Sequence, residues 1–176
     1  YVPVAWINEV HYDDAGDDDG EFVEVAVDAA FPDLAELVLT LYNGTDGTPY
    51  GSHSLATFTR GEAAGAARLV TLTFPTNGLQ NGAPDGLALS YAGTAGSALI
   101  EFVCYEGTMT ATAGPAAGAT CASLGAEESN ATAEGTSLQR VGTGETGAAF
   151  SWTAGTASSP GAPNAGQTIA APAHTV

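Results

Sequence analysis

The chain has 176 residues, 44% of them hydrophobic, and carries 20 Asp and Glu against three Arg and no Lys, for a formal net charge of −17. That length suits one domain able to bury about 70% of its unfolded surface. The apolar fraction and the 23 glycines exclude a disordered acidic tail. Nucleic acid is excluded as a partner because it needs clustered cationic side chains. Membrane insertion is excluded because no apolar run approaches the ~20 residues that span a bilayer. Uncompensated carboxylates repel one another, so this composition favours bound cations.

Residues 4–10 ("VAWINEV") and 21–28 ("EFVEVAVD") alternate in the manner of strands. The start at Tyr1, without Met or a signal peptide, reads as a processed end. Between the two strands lie Asp13, Asp14, Asp17, Asp18, Asp19 and Glu21, punctuated by Gly16 and Gly20. Hard oxygen ligands on such a loop suit Ca2+. The loop is not an EF-hand, because the first ligand position falls on Ala15 and the closing Glu position on Ala26. From the residues alone, a solvated loop and a Ca2+ loop both stand open. The metal reading takes Asp13, Asp17, Asp18, Asp19 and Glu21 as ligands. Period two sends Glu24 away from Val23, Val25 and Val27, which predicts an exposed face for it. His11 reads as a structural hydrogen-bonding residue rather than a base.

Further strands are expected at 37–43, 67–74, 86–92, 98–105, 137–141 and 149–153, with weak helices at 29–37 and 55–67. Asn43-Gly44, Asp46-Gly47, Asn77-Gly78, Asn81-Gly82 and Asp85-Gly86 supply turns. Short strands at this spacing with Gly-rich turns predict a β-sandwich of about eight to nine strands. Residues 108–136, rich in Ala, Gly and Thr, form a long excursion pinned by a Cys104–Cys121 disulfide worth roughly 3 kcal/mol. The sandwich is expected over 1–168 and an extended tail over 169–176.

The even cysteine count, the acidic Ser- and Thr-rich composition and the sequons at Asn43 and Asn130 read as extracellular, with exposed, glycosylated asparagines. Trp6, Trp152, Phe22, Phe74 and Phe102 lie in strand patterns and read as core. Tyr12, Tyr42, Tyr50 and Tyr105 fall at strand ends or loops, where they would serve as a sugar-binding patch if brought together. Catalysis lacks a signature. Glu9, Glu21 and Glu24 have unspecific spacing for glycoside hydrolysis, and His11, His53 and His174 are scattered without zinc spacing. No enzyme activity is expected.

"WINEVHYDDAGDDDGEFVEV" resembles the opening of bacterial-type extracellular lamin-tail domains. The similarity continues through "LTLYNG" (39–44), "LQNGAPDGLALSYAG" (79–93), "IEFVCYEGTMTATAGPAAG" (100–118), "SLQRVGTG" (137–144) and "FSWTAGTASSPGAPNAGQT" (150–168). The resemblance implies an immunoglobulin-like β-sandwich with no catalytic activity of its own, in a family found beside secreted hydrolases or on cell surfaces. Such a fold could bring two isolated loop acids, Asp85 and Glu106, to the same end as the acidic loop, where they would join its metal ligands. The expected function is a secreted structural or adhesive module stabilised by Ca2+. Its partners would be itself or other extracellular proteins or glycans, with the apolar ends "YVPVA" and "GQTIAAPAHTV" adding to a neighbour's sheet. The alternative is an accessory glycan- or protein-binding domain of a secreted nuclease or other hydrolase.

Overall fold

The computed structural model describes residues 1–170, in which twelve strands form two sheets. In chain order they are β1 (Ala5–His11), β2 (Phe22–Asp28), β3 (Leu37–Asn43), β4 (Thr48–Ser54), β5 (Thr59–Ala64) and β6 (Ala67–Thr73). Then follow β7 (Asp85–Gly93), β8 (Gly96–Tyr105), β9 (Ala122–Ser123), β10 (Thr136–Gly144), β11 (Ser151–Ala157) and β12 (Gln167–Ile169). The seven-stranded sheet runs β11-β10-β1-β2-β6-β5, with β12 added in parallel to β10; the five-stranded sheet runs β4-β3-β7-β8-β9.

Alternation decides which side chains meet. Val23, Val25 and Val27 of β2 share one buried core with Leu37, Leu39 and Leu41 of β3 and with Leu87, Leu89 and Tyr91 of β7. Each such side chain contributes about 1.5–3 kcal/mol by leaving water. The opposite faces are covered as well. Tyr42, Ala88 and Phe102 on the outside of the five-stranded sheet are capped by Met109, Ala111 and Ala116 from the excursion after β8. Cys104 and Cys121 pair within this second cluster with Cα atoms 5.7 Å apart, inside the range a disulfide needs. Trp6, Ala26 and Leu69 on the outside of the seven-stranded sheet pack against Phe150 and Ile169.

A strap, residues 158–166, leaves β11 and crosses that same outer face before entering β12. It reaches as far as β5, where the Glu62 amide donates to the Gly161 carbonyl at 2.7 Å. The approach requires glycine at both points of contact: a Cβ on Gly61 would lie 2.4 Å from the Gly161 oxygen, and Gly161 itself has φ +83°. Asn164 fastens the strap by donating to the carbonyls of Asn8 and Arg140 at 3.1 and 3.0 Å.

The strap corrects one expectation about Glu24. Its side chain does point away from the valines, yet it is fully buried, because the strap lies over it. A bulge at Asn8 shifts the β1–β2 register so that Glu9 stands opposite Glu24 on this covered face. Glu9 accepts from Ser137 Oγ at 2.6 Å, Gln139 Nε2 at 3.1 Å and the Ser159 amide at 2.7 Å. Glu24 accepts from Asn8 Nδ2 at 3.0 Å and the Gly161 amide at 2.6 Å. Burial raises both carboxyls; for Glu24 burial, joined by the charge of Glu9, outweighs these hydrogen bonds and carries it up to about 7.

Other differences have plain causes. Residues 29–37 and 55–67 are not α-helical. Each holds one turn of 3-10 helix, Leu34–Glu36 capped by Asp33 and Leu55–Thr57 capped by Ser54, and residues 59–64 form β5 because β6 offers an edge to pair with. Tyr12, Tyr42 and Tyr105 are buried rather than gathered in a sugar-binding patch; Tyr12 stacks on Tyr105 with ring centroids 3.9 Å apart. The sandwich continues through Ile169, since β12 pairs with β10 of its own sheet. The rest of the expected tail, including His174, lies outside the described residues.

Two outcomes follow from these contacts. Alkylation without reductant leaves the mass of the protein unchanged, and reduction lowers its stability by about 3 kcal/mol, on loop-closure grounds. A carboxyl with a higher pKa folded than unfolded takes up a proton on folding, so its folded form gains stability as pH falls from about 7 towards the unfolded value of about 4.3. The melting temperature is therefore higher at pH 5 than at pH 8, and Glu24→Gln narrows that difference; an unaltered pH profile in the variant would refute the assignment.

Candidate functional site

The acids gather at one end of the sandwich, where the β1–β2 loop, the β6–β7 loop, the end of β8 and the segment entering β10 meet. Glu128 organises this end. Its Oε2 accepts from the amides of Tyr12 at 2.7 Å and Asp13 at 3.1 Å, and its Oε1 lies 3.0 Å from His11 Nδ1. The Glu128 amide donates to the Tyr12 hydroxyl at 2.7 Å. On its other side, His11 Nε2 stands 3.3 Å from Asp14 Oδ2. Burial alone would lower the His11 pKa, but the hydrogen bond and charge of Glu128, with the charge of Asp14, carry it up to about 9. The ring is thus an imidazolium at neutral pH, held between two carboxylates, in the structural role its sequence context predicts.

Asp18 closes the acidic loop on itself and on the β6–β7 loop. Its Oδ1 accepts the Asp14 amide at 3.2 Å and its Oδ2 accepts Asn81 Nδ2 at 2.9 Å. Asn77 adopts φ +54°, a conformation that Asn tolerates, and exchanges hydrogen bonds with the Asp18 backbone. Glu21 accepts the Gly78 and Leu79 amides at 2.6 and 3.0 Å, so it clamps that loop. Asp85, at the start of β7, accepts the Gly44 amide at 3.0 Å on Oδ1.

The seven acids proposed as metal ligands divide into groups. Asp13, Asp18, Glu21 and Asp85 are buried, Glu106 is half-buried, and Asp17 and Asp19 are exposed. Asp13 comes close to Asp18 and Glu106; burial first, and then the Asp18 charge, push its carboxyl up to about 6. Asp18 and Asp85 line one cleft of about 440 Å3 together with Asn43, Asn77 and Asn81. Asp17 and Asp19 line another, of about 300 Å3, with Asp14 and Glu134. Among the described residues, no three His, Cys, Asp or Glu side chains stand together as a complete metal shell. A cation here would need amide oxygens and water besides carboxylates, a mixture Ca2+ accepts.

Sequence reasoning missed Glu128, Glu134, Asn77 and Asn81. The two asparagines carried a signal, since both begin Asn-Gly turns beside the acidic loop's partner segment. Glu128 carried none, because the amides it holds are more than a hundred residues away, as the separations of 115 and 116 attest. Of the sequons, Asn130 is exposed as expected, whereas Asn43 is half-buried at the wall of the larger cleft. No described helix is long and apolar enough to cross a membrane.

Removal of the Glu128 carboxylate leaves two buried amides without their acceptor, at about 1–3 kcal/mol each. Glu128→Ala therefore lowers stability by about 2–6 kcal/mol in urea unfolding, while Glu128→Gln, which keeps one acceptor oxygen, loses less. Equal losses in the two variants would contradict this role.

No family model, curated protein or solved structure matches the chain.

Proposed function

We propose that this chain is an immunoglobulin-like, lamin-tail-like sandwich acting outside the cell as a non-catalytic structural or adhesive module whose acidic end is stabilised by Ca2+. The observation that carries the reading is how the acids are used. Glu9, Glu21, Glu24 and Glu128 are at most 3% exposed and hold backbone amides of distant segments. They join loops to sheets rather than presenting reactive groups in an open cleft. The internal Cys104–Cys121 pair suits an oxidising compartment.

Cation binding is supported by charge. The sequence holds three Arg against 20 acids, and Asp13 Oδ1, Asp14 Oδ1 and Asp85 Oδ2 are buried oxygens with no hydrogen-bond partner among the described residues. Self-association is supported by free edges and exposed apolar side chains. β4, β5 and β11 are sheet edges, and Tyr1, Val2, Val4 and Leu99 are exposed. Pairing of β12 within its own sheet shifts the candidate contact from the C-terminal strand to these edges and to the N-terminal segment.

Thermal unfolding in chelator and in millimolar Ca2+, with light scattering and electron microscopy of the same samples, tests both parts. The expected result is a higher midpoint with Ca2+ and ordered particles at high protein concentration. An unchanged midpoint refutes the cation; a strictly monomeric protein with Ca2+ present refutes assembly.

A further inference from the structure

We infer that the cleft between Asp18 and Asp85 holds a divalent cation of the Ca2+ class, which ties the two sheets together at the acidic end. This rests on the cation reading above and gives it a location. Asp85 is 3% exposed. Its Oδ1 takes the Gly44 amide, while Oδ2 has no hydrogen-bond partner among the described residues. A buried carboxylate oxygen left in this state destabilises the fold unless something positive meets it.

The surroundings hold that oxygen in place. Gly44 lies so close to the β6–β7 loop that a Cβ on it would fall 1.5 Å from the Pro84 carbonyl oxygen. The loop therefore sits directly against the β3–β4 turn, and Asp85 is pinned between them. On the other side Gly82 borders Oδ2, where a Cβ would be in ordinary contact at 3.6 Å, and the Gly82 amide faces the carboxyl without meeting Oδ2 in hydrogen-bond geometry. Across the cleft, Asp18 is 5% exposed and its Oδ2 accepts from Asn81 Nδ2 at 2.9 Å. Asn43 and Asn77 add amide oxygens to the walls, and no Arg, Lys or His is among the described residues lining the cleft.

Two carboxylates with amide oxygens and water match the six to eight oxygen ligands of Ca2+. Mg2+ fits less well, since it demands a tight octahedron and gives up water reluctantly. The Asp14–Asp17–Asp19 cleft is a poorer host for a different reason. Asp14 already faces the His11 imidazolium, and Asp17 and Asp19 stand in solvent. The consequence of binding at Asp18 and Asp85 is structural. Asp18 belongs to the loop between β1 and β2 of one sheet and Asp85 opens β7 of the other, so the ion bridges the sheets.

Ca2+ titration followed by thermal unfolding and calorimetry, on the wild type, Asp85→Asn, Asp18→Asn and the double variant Asp17→Asn/Asp19→Asn, tests the location. Ca2+ is expected to raise the wild-type and double-variant midpoints alike, by several degrees. Asp85→Asn keeps the Gly44 acceptor, loses the Ca2+ response and melts in chelator at or above the wild-type temperature, because an unpaired buried charge is gone. Asp18→Asn weakens Ca2+ binding at least tenfold, and it decides the matter if Asp85→Asn does not fold. A full Ca2+ response in Asp85→Asn, or loss of the response in the double variant, overturns this location while leaving Ca2+ stabilisation intact. No response in the wild type overturns both.

Discussion

Arg140 leaves β10 where the ladder between β10 and β1 stops, and its guanidinium takes over the work of the missing strand partner. The β1–β10 register covers only Glu9↔Gln139 and Val10↔Leu138. Beyond it, Arg140 Nε donates to the Ile7 carbonyl at 2.8 Å and Nη1 to the Gly147 carbonyl at 2.7 Å, while Nη2 meets Glu101 of β8. Glu101 completes the exchange by accepting the Ile7 amide at 2.7 Å. One side chain from each sheet thus satisfies both backbone groups of Ile7 and joins the sheets. The guanidinium also lies 4.8 Å from the Trp152 ring centroid. Breaking such a buried pair typically costs about 3–5 kcal/mol. In a chain with three Arg, the placement of one of them at the seam between the sheets leaves the buried acids elsewhere to find other partners.

Those partners are mostly backbone amides. Glu21, Glu24, Glu9 and Glu128 each receive N–H groups from segments remote in sequence: the β6–β7 loop, the strap and the β1–β2 loop. An amide is a fixed dipole that adds no net charge, so it holds a carboxylate in place without neutralising it. Burial raises the pKa values of Glu9, Glu21 and Glu24, and the amides they accept from offset part of that rise. His11 is the exception, a cation enclosed by Glu128 and Asp14.

The two-sheet framework was legible because strands β2, β3 and β7 alternate without interruption, so the core valines and leucines could be named from period two alone. The covered outer faces were not. Glu24 reads as exposed in any window around it, since what buries it is a Pro- and Gly-rich strap whose Gly161 amide is 137 residues away. β4 and β5 escaped notice because they are edge strands whose side chains are largely in solvent and give no apolar signal. At the acidic end the residue types were readable and the grouping was not. Asp17, Asp18 and Asp19 are consecutive, yet alternate directions of the backbone send the middle one inward and its neighbours to solvent.

The parallel pairing of β12 with β10 has a mechanical consequence. β1 runs antiparallel to β10 and β12 runs parallel to it, with Ile169 beside Gly144 and Ala5 beyond the register that begins at Glu9. The chain therefore enters and leaves the sandwich at one pole, and the carboxylate-rich pole faces the other way. Tension between the ends would unzip β1 and β12 from β10 one hydrogen bond at a time rather than shear them along their length. A module tethered through its ends stands with its anionic pole outermost, and it yields to pulling at the pole where it is held.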